Sequence, residues 1–148
     1  MKKDCKDQEQ SCRLNTCLFF SATKLSREFS KIGEDAFKPI GLSPSHAMLL
    51  YILNLTDEMQ QKELGERLTL TPSTITRFIE KLESSGHVVK RAEGKNVFVR
   101  TTLQGKALQG EIINAWNSLH HLYDGILSEE ETQQFISISN KLLEKLGQ

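Results

Sequence analysis

The chain has 148 residues, 38% of them hydrophobic and 26% charged, and its 19 basic and 19 acidic side chains cancel to a formal net charge of zero. That length suits one domain with a sizeable core, or one small domain plus an oligomerisation element. The polar start, Met-Lys-Lys-Asp-Cys-Lys-Asp, carries no apolar signal region and no apolar run could span a bilayer, so a soluble, cytoplasmic protein with no membrane partner is expected.

Residues 1–10 are polar and charged, and are expected to stay mobile up to Leu14. The three cysteines, Cys5, Cys12 and Cys17, fall in this first part of the chain. Their odd number and the lack of a Cys-x-x-Cys spacing favour free thiols over a disulfide framework. From Leu14 to Phe37 the pattern is helical. Leu18, Ala22, Leu25, Phe29 and Ile32 step by four and three, a narrow seam suited to packing against another helix. Ser43-Pro44 then caps and opens a second helix over His46–Leu55, apolar nearly all round and expected at the centre of the core. Asp57-Glu58 ends it.

The stretch from Met59 to Lys106 carries the most information. Gln61 to Leu68 reads as a short helix with Leu64 and Leu68 on one face. Thr71 can cap a further helix with Pro72 in its first turn, where no amide hydrogen is missed. Ile75, Phe78, Ile79 and Leu82 give that helix one apolar face, and Gly86 is a natural left-handed stop. His87–Arg91 and Val97–Thr101 have strand character, joined by a hairpin tip over Ala92–Asn96. Two helices and a hairpin in this order form a winged helix-turn-helix, whose second helix can enter the DNA major groove with its N-terminal residues leading.

After the wing, Thr102 can cap a long helix running to about Leu127, with Leu108, Ile112, Ala115, Leu119, Leu122 and Ile126 alternating by four and three. Ser128-Glu129-Glu130-Glu131 is a capping box. The last helix carries Phe135, Ile138, Leu142 and Leu146. Seam helices at both ends are more than one small winged-helix core needs, so the surplus is expected to meet a second copy of the chain; an intramolecular bundle in a monomer is the alternative. The expected fold is mainly α with a small β-hairpin wing: residues 1–38 as tail and first dimerisation helix, 39–105 as the winged helix-turn-helix, 106–148 as C-terminal dimerisation helices.

The charge is unevenly spread. Residues 61–110 carry 9 basic and 5 acidic side chains, net +4, whereas 111–148 carry 2 and 6, net −4. Double-stranded DNA is the partner this distribution fits. On the second helix Ser73, Thr74 and Arg77 are placed to reach base edges, and Thr71, Thr76 and Lys81 to position phosphates. In the wing the candidates are Arg91, Lys95 and Asn96, with Arg100 structural; Lys62 can touch the backbone. The plain alternative is a solvated helix face with ordinary caps, Thr71 being a cap alone.

In order and wording the chain resembles the MarR family of bacterial transcription regulators. ELGERL (63–68), the T-x-S-x-I-T-R-x-I-x-x-L-E run (71–83), Gly86 before the first wing strand and V-R-T-T-L-Q-G (99–105) carry the resemblance. It implies a homodimer that pairs its first and last helices and acts as a repressor of a near-palindromic operator, with half-sites about 10 bp apart. The wing departs from the family: Glu93-Gly94-Lys95 stands where an aspartate, a residue and an arginine are usual, and Lys95 offers a point charge in place of a fork. LNTCLFFSATKLSREF, around Cys17, is similar to the start of the organic-peroxide-sensing branch, which implies a redox-sensing thiol; tyrosines usual around that cysteine are missing, and a buried space-filling cysteine is the other reading. The resemblance also implies a pocket for a small-molecule effector between the winged lobe and the dimer helices, for which Met48, Tyr51, Trp116 and His120 are candidates if they are not simply core.

A winged helix can also serve as a protein-protein interaction module without DNA binding. No nucleophile elbow, phosphate loop or metal-ligand spacing occurs, and His120-His121 point to different helix faces. Neither an enzyme, a cofactor nor a metal is expected.

Overall fold

Ser43 and Pro44 open the helix around which the other elements are arranged. In the computed structural model, which describes residues 16–147, this is α2 (Pro44–Asn54), and the Ser43 hydroxyl accepts from the His46 amide at 3.3 Å. It begins two residues before the expected start, because Pro44 itself occupies the first turn. His46, Ala47, Leu49, Leu50 and Leu53 are buried, so the near-uniform apolarity of the segment does reflect a central position.

Ahead of it lies α1 (Leu18–Phe37), whose buried residues are only Gly33 and Phe37. The start expected at Leu14, like Cys5, Cys12 and the polar residues 1–10, lies outside the described residues. Within the described residues α1 starts at Leu18, and Cys17 is its N-cap residue, extended at φ −93° and ψ 120°. The apolar stepping that runs through Leu14 and Leu18 carries no information on where the backbone turns into helix.

Met59–Gln60 forms a two-residue strand, β1, that the sequence did not announce. It leads directly into α3 (Gln61–Arg67), and α4 (Pro72–Ser84) follows. Then come β2 (Val88–Glu93) and β3 (Asn96–Thr101). The sheet order is β1-β3-β2, all antiparallel, with Met59 opposite Val99 and Glu93 opposite Asn96. The hairpin tip is therefore shorter than the expected Ala92–Asn96. Only Gly94 and Lys95 lie between the strands, and Gly94 alone has positive φ, 59°, as a type II′ turn requires.

The long helix expected from Thr102 to Leu127 is divided into α5 (Leu103–Ala107) and α6 (Gln109–Asp124). The Asn54 amide donates to the Gly105 carbonyl at 3.1 Å and to Gln109 Oε1 at 2.8 Å. That carbonyl also takes the Leu108 amide at 3.3 Å, so the regular ladder is interrupted there. The last helix, α7 (Glu129–Leu146), starts with both halves of the Ser128–Glu131 capping box and has no buried residue. One core joins Leu49, Leu50 and Leu53 of α2 to Leu64, Ile75, Ile79, Leu82, Val88, Val99 and Ile112. No helix among the described residues is long and apolar enough to cross a membrane.

Candidate nucleic-acid interface

The turn between α3 and α4 is built by backbone bonds. The Leu70 amide reaches the Gly65 carbonyl at 2.9 Å and the Thr69 amide reaches that of Glu66 at 3.2 Å, a Schellman ending with Thr69 in the left-handed position at φ 54°. Thr71 then caps α4. Its hydroxyl accepts from the Thr74 amide at 3.3 Å and donates to the Thr74 hydroxyl at 2.9 Å. Thr76 turns its hydroxyl back to the Pro72 carbonyl (2.8 Å) and accepts from the Gln61 amide (2.9 Å), tying α4 to α3. Beneath α4 the buried His46 ring lies 4.3 Å from that of Phe78, with Nδ1 bonded to the Ser43 hydroxyl. Burial, reinforced by the field of Lys81, holds the His46 pKa below its usual value.

With Ile75, Ile79 and Leu82 turned into the core, Ser73, Arg77, Glu80, Lys81 and Ser84 stand exposed on the outer face of α4. Among the described residues no salt bridge holds Lys62, Arg77, Lys81 or Lys95. Among the described residues Arg100 is in no salt bridge either, whereas Arg67, Lys90 and Arg91 are engaged. Arg67 pairs with Glu63 at 2.9 Å and Lys90 with Glu83 at 3.5 Å. The candidates named from sequence thus divide. Ser73, Arg77, Lys81, Lys62 and Lys95 are displayed outward, while the hydroxyls of Thr71, Thr74 and Thr76 first serve the cap and the α3–α4 joint.

Arg91 belongs to the engaged group. It stacks over Phe98 with its guanidinium carbon 4.7 Å from the ring centroid. Its Nη2 and Nε donate to the two carboxylate oxygens of Glu58, at 2.7 and 3.4 Å, and Nη1 donates to Glu93 at 2.7 Å. The hydrogen bond from Arg91 holds the Glu58 carboxyl below its ordinary pKa, with the charges of Arg91 and Arg100 adding to it. Glu58 is 33 positions from Arg91 in sequence, and only the unannounced strand β1 brings it beside the wing. Charge pattern alone could not have found this pair.

Between the wing tip and the helix-turn-helix lies a cleft of about 420 Å³ lined by Lys62, Glu66, Leu70, Pro72, Lys95 and Asn96, among others. Farther from α4, Met48, Tyr51 and Trp116 come together with Ile112, Ile113 and Asn117 around a cavity of about 220 Å³. His120 is not among its lining residues; it sits one turn on, between the rings of Trp116 (6.2 Å) and Tyr123 (5.6 Å). Cys17 is a free, half-buried thiol at the N-cap of α1. No group of three or more His, Cys, Asp or Glu side chains among the described residues could hold a metal ion.

This geometry has relatives among known proteins. The MarR family model matches residues 42–96, from the loop before α2 to the wing tip. The HTH-type transcriptional regulator SarZ of Staphylococcus epidermidis is 27% identical over 123 residues, covering 81% of this chain and 80% of that protein. Among solved structures, the S. aureus MepR–DNA complex superposes with a TM-score of 0.78 at 17% identity, over 88% of this chain and 98% of that one. Reduced AbfR bound to DNA superposes with a TM-score of 0.72 at 25% identity, covering 88% of this chain and 92% of that one, and AbfR has also been solved overoxidized and bound to DNA.

Proposed function

We propose that the chain, which the MarR family model matches over residues 42–96, is a MarR-type protein that acts as a homodimeric transcription regulator on duplex DNA, as a repressor of a palindromic operator. The observation that carries this reading is the outer face of α4, where Ser73, Arg77 and Lys81 stand exposed and no salt bridge among the described residues holds the two cations. Around it, residues 61–110 concentrate 9 basic against 5 acidic side chains. In the proposed complex the N-terminal half of α4 lies in the major groove, Ser73, Thr74 and Arg77 face base edges, and Lys62, Lys81, Lys95 and Asn96 meet phosphates. Thr71 and Thr76 act by fixing the angle of α4, and can meet the backbone only through the oxygens their caps leave free.

The helices outside residues 39–105 supply the second copy. Leu18, Phe19 and Leu25 of α1, Leu122 of α6, and Phe135, Ile138, Leu142 and Leu146 of α7 are exposed in the single chain, a larger apolar display than an isolated soluble protomer keeps. Pairing them two-fold places two copies of α4 in successive major grooves. A signal that alters this pairing changes their spacing and releases DNA. Two entry points fit: the cavity at Met48, Tyr51 and Trp116 for a small molecule, and Cys17, a free, half-buried thiol at the N-cap of α1. An organic hydroperoxide would oxidise that thiol to sulfenic acid and leave as the alcohol.

The test is duplex binding by the purified protein against random genomic fragments, with and without an organic hydroperoxide, and with Cys17→Ser in parallel. Salt-sensitive binding is expected, lost with peroxide only when Cys17 is present. Arg77→Ala should cost about 1–3 kcal/mol on the selected operator. Binding indifferent to peroxide would return Cys17 to a packing role and leave the regulator standing. No binding at low salt would replace it by a protein-interaction module.

A further inference from the structure

We infer that Glu58 and Glu93 withhold Arg91 from DNA, so that each wing meets phosphate through Lys95 and Arg91 serves as a positioning residue that braces the wing. The inference rests on the DNA-binding reading above. It divides Arg91 and Lys95, two wing cations that look equivalent in sequence, into one that holds and one that binds.

Three features of the geometry carry it. First, the guanidinium is used on both of its forked edges. Nε and Nη2 face Glu58, Nη1 faces Glu93, and the flat side covers Phe98. A bidentate arginine–carboxylate pair is the strongest form of this contact, and a second carboxylate with a ring beneath it fixes the orientation. Second, the local charge is unfavourable for a phosphate. One guanidinium stands between two carboxylates, and swinging it out would leave both of them unpaired beside a polyanion. Arg100, whose charge also acts on Glu58, offsets only part of that. Third, the turn is minimal. Gly94 and Lys95 alone join the strands, so Lys95 sits at the apex, ahead of Arg91 by the length of the hairpin arm. Arg91 is paired with Phe98, and Ala92↔Val97 and Glu93↔Asn96 lie between it and the tip.

What the clip braces is the root of the wing. Glu58 immediately precedes β1, and β1 runs straight into α3. The Arg91–Glu58 contact therefore locks the wing to the start of the helix-turn-helix, and the angle between Lys95 and α4 depends on it.

The experiment is the salt dependence of duplex affinity, measured by fluorescence anisotropy on one operator fragment for wild type, Lys95→Ala, Arg91→Ala, Glu58→Gln/Glu93→Gln, and that double variant carrying Arg91→Ala. Each phosphate contact contributes about 0.9 to the slope of log K against log salt, so two wings per dimer contribute about 1.8. Lys95→Ala should flatten the slope by about that amount, whereas Arg91→Ala should lower affinity at every salt concentration and leave the slope within about 0.5 of wild type. Removing the two carboxylates frees the guanidinium, so Glu58→Gln/Glu93→Gln should bind with a steeper slope than wild type, whatever the loss of the brace costs in affinity, and adding Arg91→Ala should abolish that gain in slope. A merely structural Arg91 would not produce the gain. An Arg91→Ala slope as flat as that of Lys95→Ala would overturn the inference, as would a gain that survives without Arg91. Failure of the wild type to bind duplex at all would instead remove the DNA-binding reading itself.

Discussion

The winged lobe and the terminal helices treat their apolar residues in opposite ways. In the lobe, Leu49, Leu50, Leu53, Leu64, Ile79, Leu82 and Val99 have no accessible surface left, and each faces another element of the same chain. In α7, Phe135, Ile138, Leu142 and Leu146 remain 38% to 79% exposed although the helix has a complete capping box. Both regions show apolar residues at helical spacing. The difference teaches that periodicity reports a buried face without saying which molecule buries it. The lobe is closed by its own sheet and helices, whereas the apolar face of the terminal helices stays open in the single chain and is the face the proposed second copy would cover.

The largest effect should come from breaking the open half alone. Ile138→Glu/Leu142→Glu puts charge on the α7 seam, where no residue is buried within the protomer. The chain should become a monomer by sedimentation, with the circular dichroism of the lobe retained and operator affinity reduced by about 100-fold or more as the second half-site is lost. A variant that stays dimeric would mean that the seam is closed elsewhere, and the contrast between the halves would fail.

A change confined to the closed half should act on stability. Gly105 lies where α5 passes against His87, the residue before β2. A Cβ there would sit 2.2 Å from the His87 carbonyl oxygen and 3.2 Å from a Leu50 methyl. Neither the backbone nor the core can yield by that much, so Gly105→Ala should destabilise by about 3 kcal/mol in urea unfolding. Gly110, on α6 with nothing within 4 Å of a built Cβ, is the control: Gly110→Ala should gain up to about 1 kcal/mol from helix propensity. Equal effects at the two positions would show that packing does not separate them.

The lobe was also the more legible half. Thr71-Pro72, the Ile75–Phe78–Ile79–Leu82 face and Gly86 at φ 79° are local signals, each complete within a few residues, and each stands where the sequence places it. What could not be read depends on partners distant in sequence. Strand β1 exists because Met59 and Gln60 find Val99 and Phe98; two residues have no periodicity of their own. The bend at Leu108 follows from Asn54, and the engagement of Arg91 follows from Glu58. Of the candidate DNA contacts, residue type was readable and availability was not. Arg77 and Arg91 look alike in the sequence, and only tertiary structure gives one of them two carboxylates.

Thr69 is a local feature that the sequence hides for a different reason: the residue is the wrong type for its place. The Schellman turn after α3 needs a left-handed residue, glycine is the usual choice, and a β-branched side chain at φ 54° costs on the order of 1–2 kcal/mol. Thr69 is exposed, so its side chain contributes little in return. Thr69→Gly relieves the strain but loosens the unfolded chain, and the balance should be a gain of about 0.5–1 kcal/mol. Raised stability at unchanged operator affinity would mark the strain as incidental. A loss of stability would mean that the threonine side chain has a role in the turn beyond its backbone angle.

The smallest effect concerns His46, at the contact between α2 and α4. Its pKa is lowered in the folded protein, first by burial and then by Lys81, so the unfolded chain takes up the proton at a higher pH than the folded one. The stability tied to the neutral ring is therefore fully present above about pH 6.5, and is lost as pH falls through that value toward the lower folded pKa. His46→Phe keeps an aromatic ring against Phe78 and leaves Ser43 capping the backbone amide. Urea unfolding of the two proteins should give parallel stability curves above pH 7. Below pH 6.5 the wild type should fall more steeply, and operator affinity should follow because Phe78 lies on α4. Curves that stay parallel down to pH 5 would mean that the ring can be protonated in place, and that the joint beneath α4 is open enough to hydrate the charge.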